Sequence, residues 1–284
     1  MNDSAVLAAM SPEPAGPERE DRPGESLRAF GLAQLQSAAR LLARRGQARH
    51  EGVHEARKCL RRVRALLALA GPRLGAHAVA LDAELRRLCR GLSPLRDASA
   101  LIEALQRLER GGAIGANEAA QALAAASARR EERLNTALAR DPELAARRRR
   151  LQLAAQKLAA LDWPALRRRD LHRGLARSER RLHKAAGRVR RHRKNDTAWH
   201  RLRRRLRRWR QQNTVLGGIA PALARHLAAR DALTARLGES QDDVLLLARC
   251  RGDSPFAPAL RRTLRRVARA RLQALRAEPV SMDA

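Results

Sequence analysis

The sequence predicts an all-α protein, and three observations carry that reading. From Glu25 onward the chain is rich in Ala, Leu and Arg, which are good helix formers. No stretch alternates apolar and polar residues with period two for long enough to make a strand. Glycine and proline fall at intervals that suit helix ends rather than hairpin turns.

Taken in order, residues 1–23 hold Pro12, Pro14, Pro17 and Pro23 with little apolar periodicity, so a disordered tail is expected. Helices follow over 25–45, 52–70, 75–91 and 94–110, separated at Gly46, Gly71-Pro72, Gly91 and Gly111-Gly112. Ser93-Pro94 reads as a cap followed by proline at the first helical position. Two more helices, over 117–140 and 142–161, part at Asp141-Pro142, another start of that kind. After Asp162-Trp163-Pro164 a long basic helix runs to about 192. Helices over 197–214, 219–237, 240–250 and 257–277 complete the reading, and 278–284 is a short C-terminal tail.

Two of these helices repeat one pattern. His54 is followed by Arg57, Arg61 and Arg64 at +3, +7 and +10, with Lys58 and Arg62 at +4 and +8. His200 is followed in the same way by Arg203, Arg207 and Arg210, with Arg204 and Arg208 beside them. At roughly 100° per residue, each histidine and its three arginines share an arc of about 80°. Lys58, Arg62, Arg204 and Arg208 widen that side. Opposite lie Ala56, Cys59, Leu60 and Val63 in the first copy, and Leu202, Leu206 and Trp209 in the second, as a core stripe. Glu55 is the only carboxylate in the first motif and the second has none, so pairing along the helix leaves the ladders charged. A bound anion relieves that repulsion.

The repetition extends further. Leu92-Ser93-Pro94-Leu95-Arg96-Asp97 aligns with Leu237-Gly238-Glu239-Ser240-Gln241-Asp242 at nearly the same offset as the histidine helices. A tandem duplication is expected, with halves near 24–145 and 146–277. Asp97 and Asp242 are expected to open helices, where the dipole favours a carboxylate. A second role, holding an arginine of a neighbouring helix at the ligand, is equally open for Asp97.

Composition narrows the partner. Lys+Arg number 60 against 29 Asp+Glu, a net charge of +31 that points to an acidic partner. Arginine dominates, and its planar fork matches phosphate oxygens. Aromatics make up 2 % and Tyr is absent, too few to stack single-stranded bases. Cys59, Cys89 and Cys250 lack metal-ligand spacing, so reduced, buried thiols in a cytoplasmic protein are expected, with no metal and no cofactor. No run of 18 apolar residues suggests a membrane span, and no secretory signal pattern opens the chain.

The two His-x-x-Arg-x-x-x-Arg-x-x-Arg helices, each followed by a Leu-led turn with an aspartate, resemble those of the CHAD family, the conserved histidine α-helical domain. The resemblance covers nearly the whole chain after the tail. It implies a pseudo-twofold pair of four-helix bundles whose basic faces line a central cavity that binds inorganic polyphosphate, without catalysis. It also implies a place at phosphate-rich granules. Ser93 stands where glycine is usual, Gln241 where arginine is usual, and Arg210-Gln211 where a Tyr often follows the arginine. No Glu-x-Glu-x-Lys signature of the triphosphate-tunnel enzymes that many relatives carry is present, so a stand-alone binder is expected. Two other functions compete. Nucleic-acid backbone binding would use the same charges, but no helix-turn-helix, zinc-finger or RNA-binding-sheet signature accompanies them. Phosphotransfer through His54 or His200 would need acids or metal ligands that the neighbouring sequence does not supply.

Overall fold

The computed structural model describes residues 23–225 and 228–280, and among them every regular element is helical. The helices are α1 (Gly24–Leu42), α2 (Ala48–Ala70), α3 (Gly75–Gly91), α4 (Ser93–Arg110) and α5 (Ala116–Arg140). They continue with α6 (Ala145–Ala159), α7 (Arg168–Arg191), α8 (Asp196–Ile219), α9 (Ala228–Arg249) and α10 (Pro258–Ala277). The expected N-terminal tail lies outside the described residues except for Pro23, as do residues 281–284 of the C-terminal one.

Local chemistry accounts for several of the boundaries. The Asn195 side chain accepts from the Ala198 amide at 3.1 Å and caps α8. Asp141 accepts from the Ala146 amide at 2.8 Å and from Arg147 at 2.6 Å, which fixes the start of α6. Gly71 ends α2 at φ +64°, a conformation that glycine adopts without penalty. Three expectations fail. The helix expected from 219 is not there: α8 runs on to Ile219, a 3-10 turn follows at Pro221–Leu223, and α9 is described from Ala228. Ser93 makes no capping bond; its hydroxyl donates to the Cys89 carbonyl at 3.2 Å instead. The expected break at Gly238 is absent, because α9 runs unbroken through it. One glycine costs a helix about 1 kcal/mol, and the burial of Leu237 and Ser240 on either side of it outweighs that.

Consecutive helices form hairpins: α1 with α2, α7 with α8, α4 with α5, and α9 with α10. One core joins α1, α2, α3, α6, α7 and α8 around Leu60, Leu66, Leu85, Trp163, Leu202 and Trp209. A second joins α4 and α5 to the end of α9 and to α10 around Leu105, Ala122, Leu246 and Leu264. The expected division into one bundle over 24–145 and another over 146–277 is therefore not how the cores form. Each core takes a hairpin from each half.

At the centre α2 lies against α8 and α7. Gln212 donates to the Ala65 carbonyl at 3.0 Å, a buried bond between α2 and α8. A Cβ on Gly174 of α7 would overlap the Leu69 carbonyl of α2, so only glycine permits that crossing. Gly174→Val should therefore force the helices apart and lower unfolding free energy by about 2 kcal/mol or more, read from urea denaturation.

Candidate anion-binding site

Burying the apolar stripes of α2 and α8 leaves their basic flanks beside each other. Arg61, from the middle of α2, has no carboxylate partner among the described residues. Its pKa falls to about 9, first through burial and then through Arg207, Arg57 and Arg96. Arg207 falls to about 9 through burial, Arg203, Arg96 and Arg57. Arg203 falls to about 10 through burial, Arg96 and Arg61, against the opposing pull of Asp242 and Asp97. All three remain protonated at neutral pH; burial is the chief cause of the depression and the neighbouring cations add to it. The Nε atoms of Arg57, Arg61 and Arg203 are buried with no hydrogen-bond acceptor. Each such donor costs about 1–3 kcal/mol until an acceptor arrives.

Arg96 belongs to this group, though the sequence reading did not place it among the ligand contacts. It comes from the first turn of α4 and acts on His54, Arg57, Arg61, Arg203 and Arg207 alike. The available signal was its place in the repeat, where Gln241 is its counterpart. Gln241 meets the other histidine: its Oε1 lies 2.7 Å from His200 Nδ1. The motif that gives His54 a cationic neighbour thus gives exposed His200 a neutral one.

The remaining predicted residues separate into groups. Arg57 donates to the Cys89 carbonyl at the end of α3 and to Ser93 Oγ at 2.9 Å, so it ties down the α3–α4 junction. Arg64 forks onto Asp82 of α3 at 2.7 and 3.3 Å. Arg208 sits beside the same aspartate; burial and Arg64 lower its pKa to about 10 while Asp82 opposes them. Arg210 pairs with Asp231 of α9 at 2.8 Å. Lys58 meets Glu55 at 2.7 Å. Arg204 is exposed, and it helps to depress Arg205 on the outer side of α8. Pairing along the helix does leave Arg64 and Arg210 charged, as expected, but carboxylates from other helices neutralise them. A cavity of about 260 Å3 between α1, α2 and α8 is lined by Lys58, Arg61, Arg62, Arg207, Arg210 and Gln34 among others.

Of the two aspartates expected to open helices, only Asp97 lies near a helix start. Asp97, near the start of α4, lies 3.4 Å from its neighbour Arg96. Asp242 sits deep inside α9, where no helix end acts on it. It receives Arg107 of α4 at 2.9 Å and lies 3.9 Å from Arg96, an ion-pair distance too long for a hydrogen bond. Asp242, rather than Asp97, holds arginines of another helix next to the cluster.

The chain belongs to the CHAD domain family, whose model matches residues 29–251. Its structure is similar to that of the CHAD domain from the plant Ricinus communis, with a TM-score of 0.66 and 20% identity over 94% of this chain and 95% of that one. It is also similar to PptA from Streptomyces chartreusis, with a TM-score of 0.63 and 19% identity over 89% of this chain and 96% of that one. At such identities the likeness establishes the fold. No curated protein matches the chain.

His54 reports on the same field. Its pKa is pushed down to about 4, first by burial and then by Lys58, with Arg96 and Arg61 adding to the effect against Glu55. An unfolded chain takes up this proton near pH 6.5, before the folded one does, so the unliganded fold loses stability as pH drops from about 6.5 towards 4. Between pH 8 and pH 5 the wild type should lose about 2 kcal/mol more than His54→Gln, measured by urea denaturation in parallel.

Proposed function

We propose that this protein binds inorganic polyphosphate along the flanks of α2 and α8, with Arg61, Arg96, Arg203 and Arg207 as the central contacts. The observation that carries this reading is the burial of several guanidinium groups against one another with too few carboxylates to balance them. Asp97 and Asp242 are the carboxylates that oppose the cluster most directly. A chain of phosphate oxygens supplies what the cluster lacks. It brings negative charge and acceptors for the orphaned Nε atoms, and it has no base that needs an aromatic platform.

In this reading Lys58, Arg62 and Arg210 extend the contact along the cavity, and Arg204 and Arg208 meet the chain at its edge. His54 and His200 mark corresponding ends of two ladders related by an approximate twofold. Arg57, Arg64, Asp97 and Asp242 orient the others. The role is binding, and no chemical step is assigned to it. Membership of the CHAD family, which is associated with polyphosphate, supports the choice of ligand. A site of this kind would place the protein wherever polyphosphate gathers, granules included. No described helix is long and apolar enough to cross a membrane.

The test is titration with long polyphosphate over a range of salt, with duplex DNA as competitor. Affinity should fall by about a thousandfold between 50 and 200 mM salt if some six phosphates are engaged. Arg61→Gln with Arg207→Gln should weaken binding at least tenfold and flatten the dependence of log affinity on log salt by about 1.5. Displacement of polyphosphate by equimolar DNA phosphate, or an unchanged affinity in the double variant, would overturn the assignment.

A further inference from the structure

Helix α7 carries a ladder that the central site does not use. Arg181, Lys184, Arg188 and Arg191 follow one another at +3, +7 and +10, the spacing of both histidine-led ladders. They share an arc of about 80° and span about 15 Å of helix. All four are exposed. Together with His192, and with Arg201 and Arg205 of α8, they line a groove of about 420 Å3. None of these basic side chains has a carboxylate in ion-pairing reach among the described residues. Glu179, two residues before Arg181, is turned instead to Arg225 at 2.6 Å and Arg230 at 3.5 Å.

The groove is separated from the central cluster by α8 itself. On that helix Arg201 and Arg205 lie about 160° round from Arg203 and Arg207. On the packed side Leu202, Leu206 and Trp209 fill the arc between the two flanks, and on the other side Arg204 and Arg208 lie between them. A straight segment lying along one flank does not reach the other, about 160° away. Among the groove's lining residues there is no Phe, Tyr or Trp ring.

We propose that the α7–α8 groove is a second polyphosphate-binding site, so that one protein molecule holds two chains, or two distant segments of one. This rests on the polyphosphate reading of the central cluster and extends it from one contact to two. Two contacts on one rigid body raise the apparent affinity for long chains without any new interaction, and they let the protein bridge chains.

The experiment is calorimetric titration at low salt with a short linear polyphosphate, a long one and duplex DNA. The proteins compared are the wild type, Lys184→Glu/Arg188→Glu/Arg191→Glu, and Arg61→Gln/Arg207→Gln. The wild type should bind two short chains. Each variant should bind one, and each should lose at least tenfold in affinity for the long chain. The groove substitutions are all at exposed positions, and circular dichroism with a thermal melt checks that the variant is folded. If the groove variant keeps wild-type stoichiometry and long-chain affinity, the inference is wrong. It is also wrong if that variant loses only DNA binding, since the groove would then serve nucleic acid. A wild type that binds one chain, lost only in the central variant, removes the second site and leaves the proposed function standing. A wild type that binds no polyphosphate removes both.

Discussion

Cations do not gather unless something else holds them, and here the packing of α2 against α8 does so. Both helices bury stripes of Leu, Val and Ala, and Gln212 closes the joint onto the Ala65 carbonyl at 3.0 Å. Once those stripes meet, the residues flanking them have no freedom to separate. Arg207 then depresses Arg61, Arg203 depresses Arg207, and Arg96 from α4 acts on both. The hydrophobic term that drives this packing is far larger than the repulsion it confines, so the fold can store unfavourable charge in one place. A folded protein that stores charge in this way is already prepared for an anion and needs little rearrangement to receive one.

The helices themselves were readable from the sequence because their punctuation is local. Gly71, Pro94, Asp141 with Pro142, and Asn195 act within a turn of their own positions. Gly238 misled for the opposite reason: a helix-breaking residue yields when the side chains around it are buried. The site was legible to the same extent. Angular spacing set Arg61, Arg203 and Arg207 on the flank away from the core stripe, since that depends only on the helix period, but it did not show that this flank is half-buried. It could not show that Asp82 takes Arg64 or that Asp231 takes Arg210, because those partners come from helices elsewhere in the chain. Nor could it bring Arg96 into the cluster, since nothing about an arginine in a first turn reveals what its helix faces.

The two copies of the motif have diverged in a physically consistent way. Ser93, in place of glycine, offers Arg57 an acceptor next to the Cys89 carbonyl, and that arginine becomes part of a helix junction. Its counterpart Arg203 meets an unbroken α9 and makes no such junction bonds, although the Nε atoms of both arginines lack an acceptor. The first copy has thus given one cation to structure and gained Arg96, while the second keeps its cation and has neutral Gln241 beside its histidine. Both copies offer cations to the same region, by different members.

The division of the cores has a consequence during synthesis. The α4–α5 hairpin presents Leu101, Leu105, Leu108 and Ala122, but its packing partners start at Leu246 and end at Ala268. At the usual pace of translation its apolar face waits on the order of ten seconds for those residues to be made. In that interval the hairpin is a sticky surface on an unfinished, highly cationic chain, in a cell whose commonest polymers are anions. The α9–α10 hairpin is the one that covers this face, so a nascent chain truncated near residue 240 would leave it open.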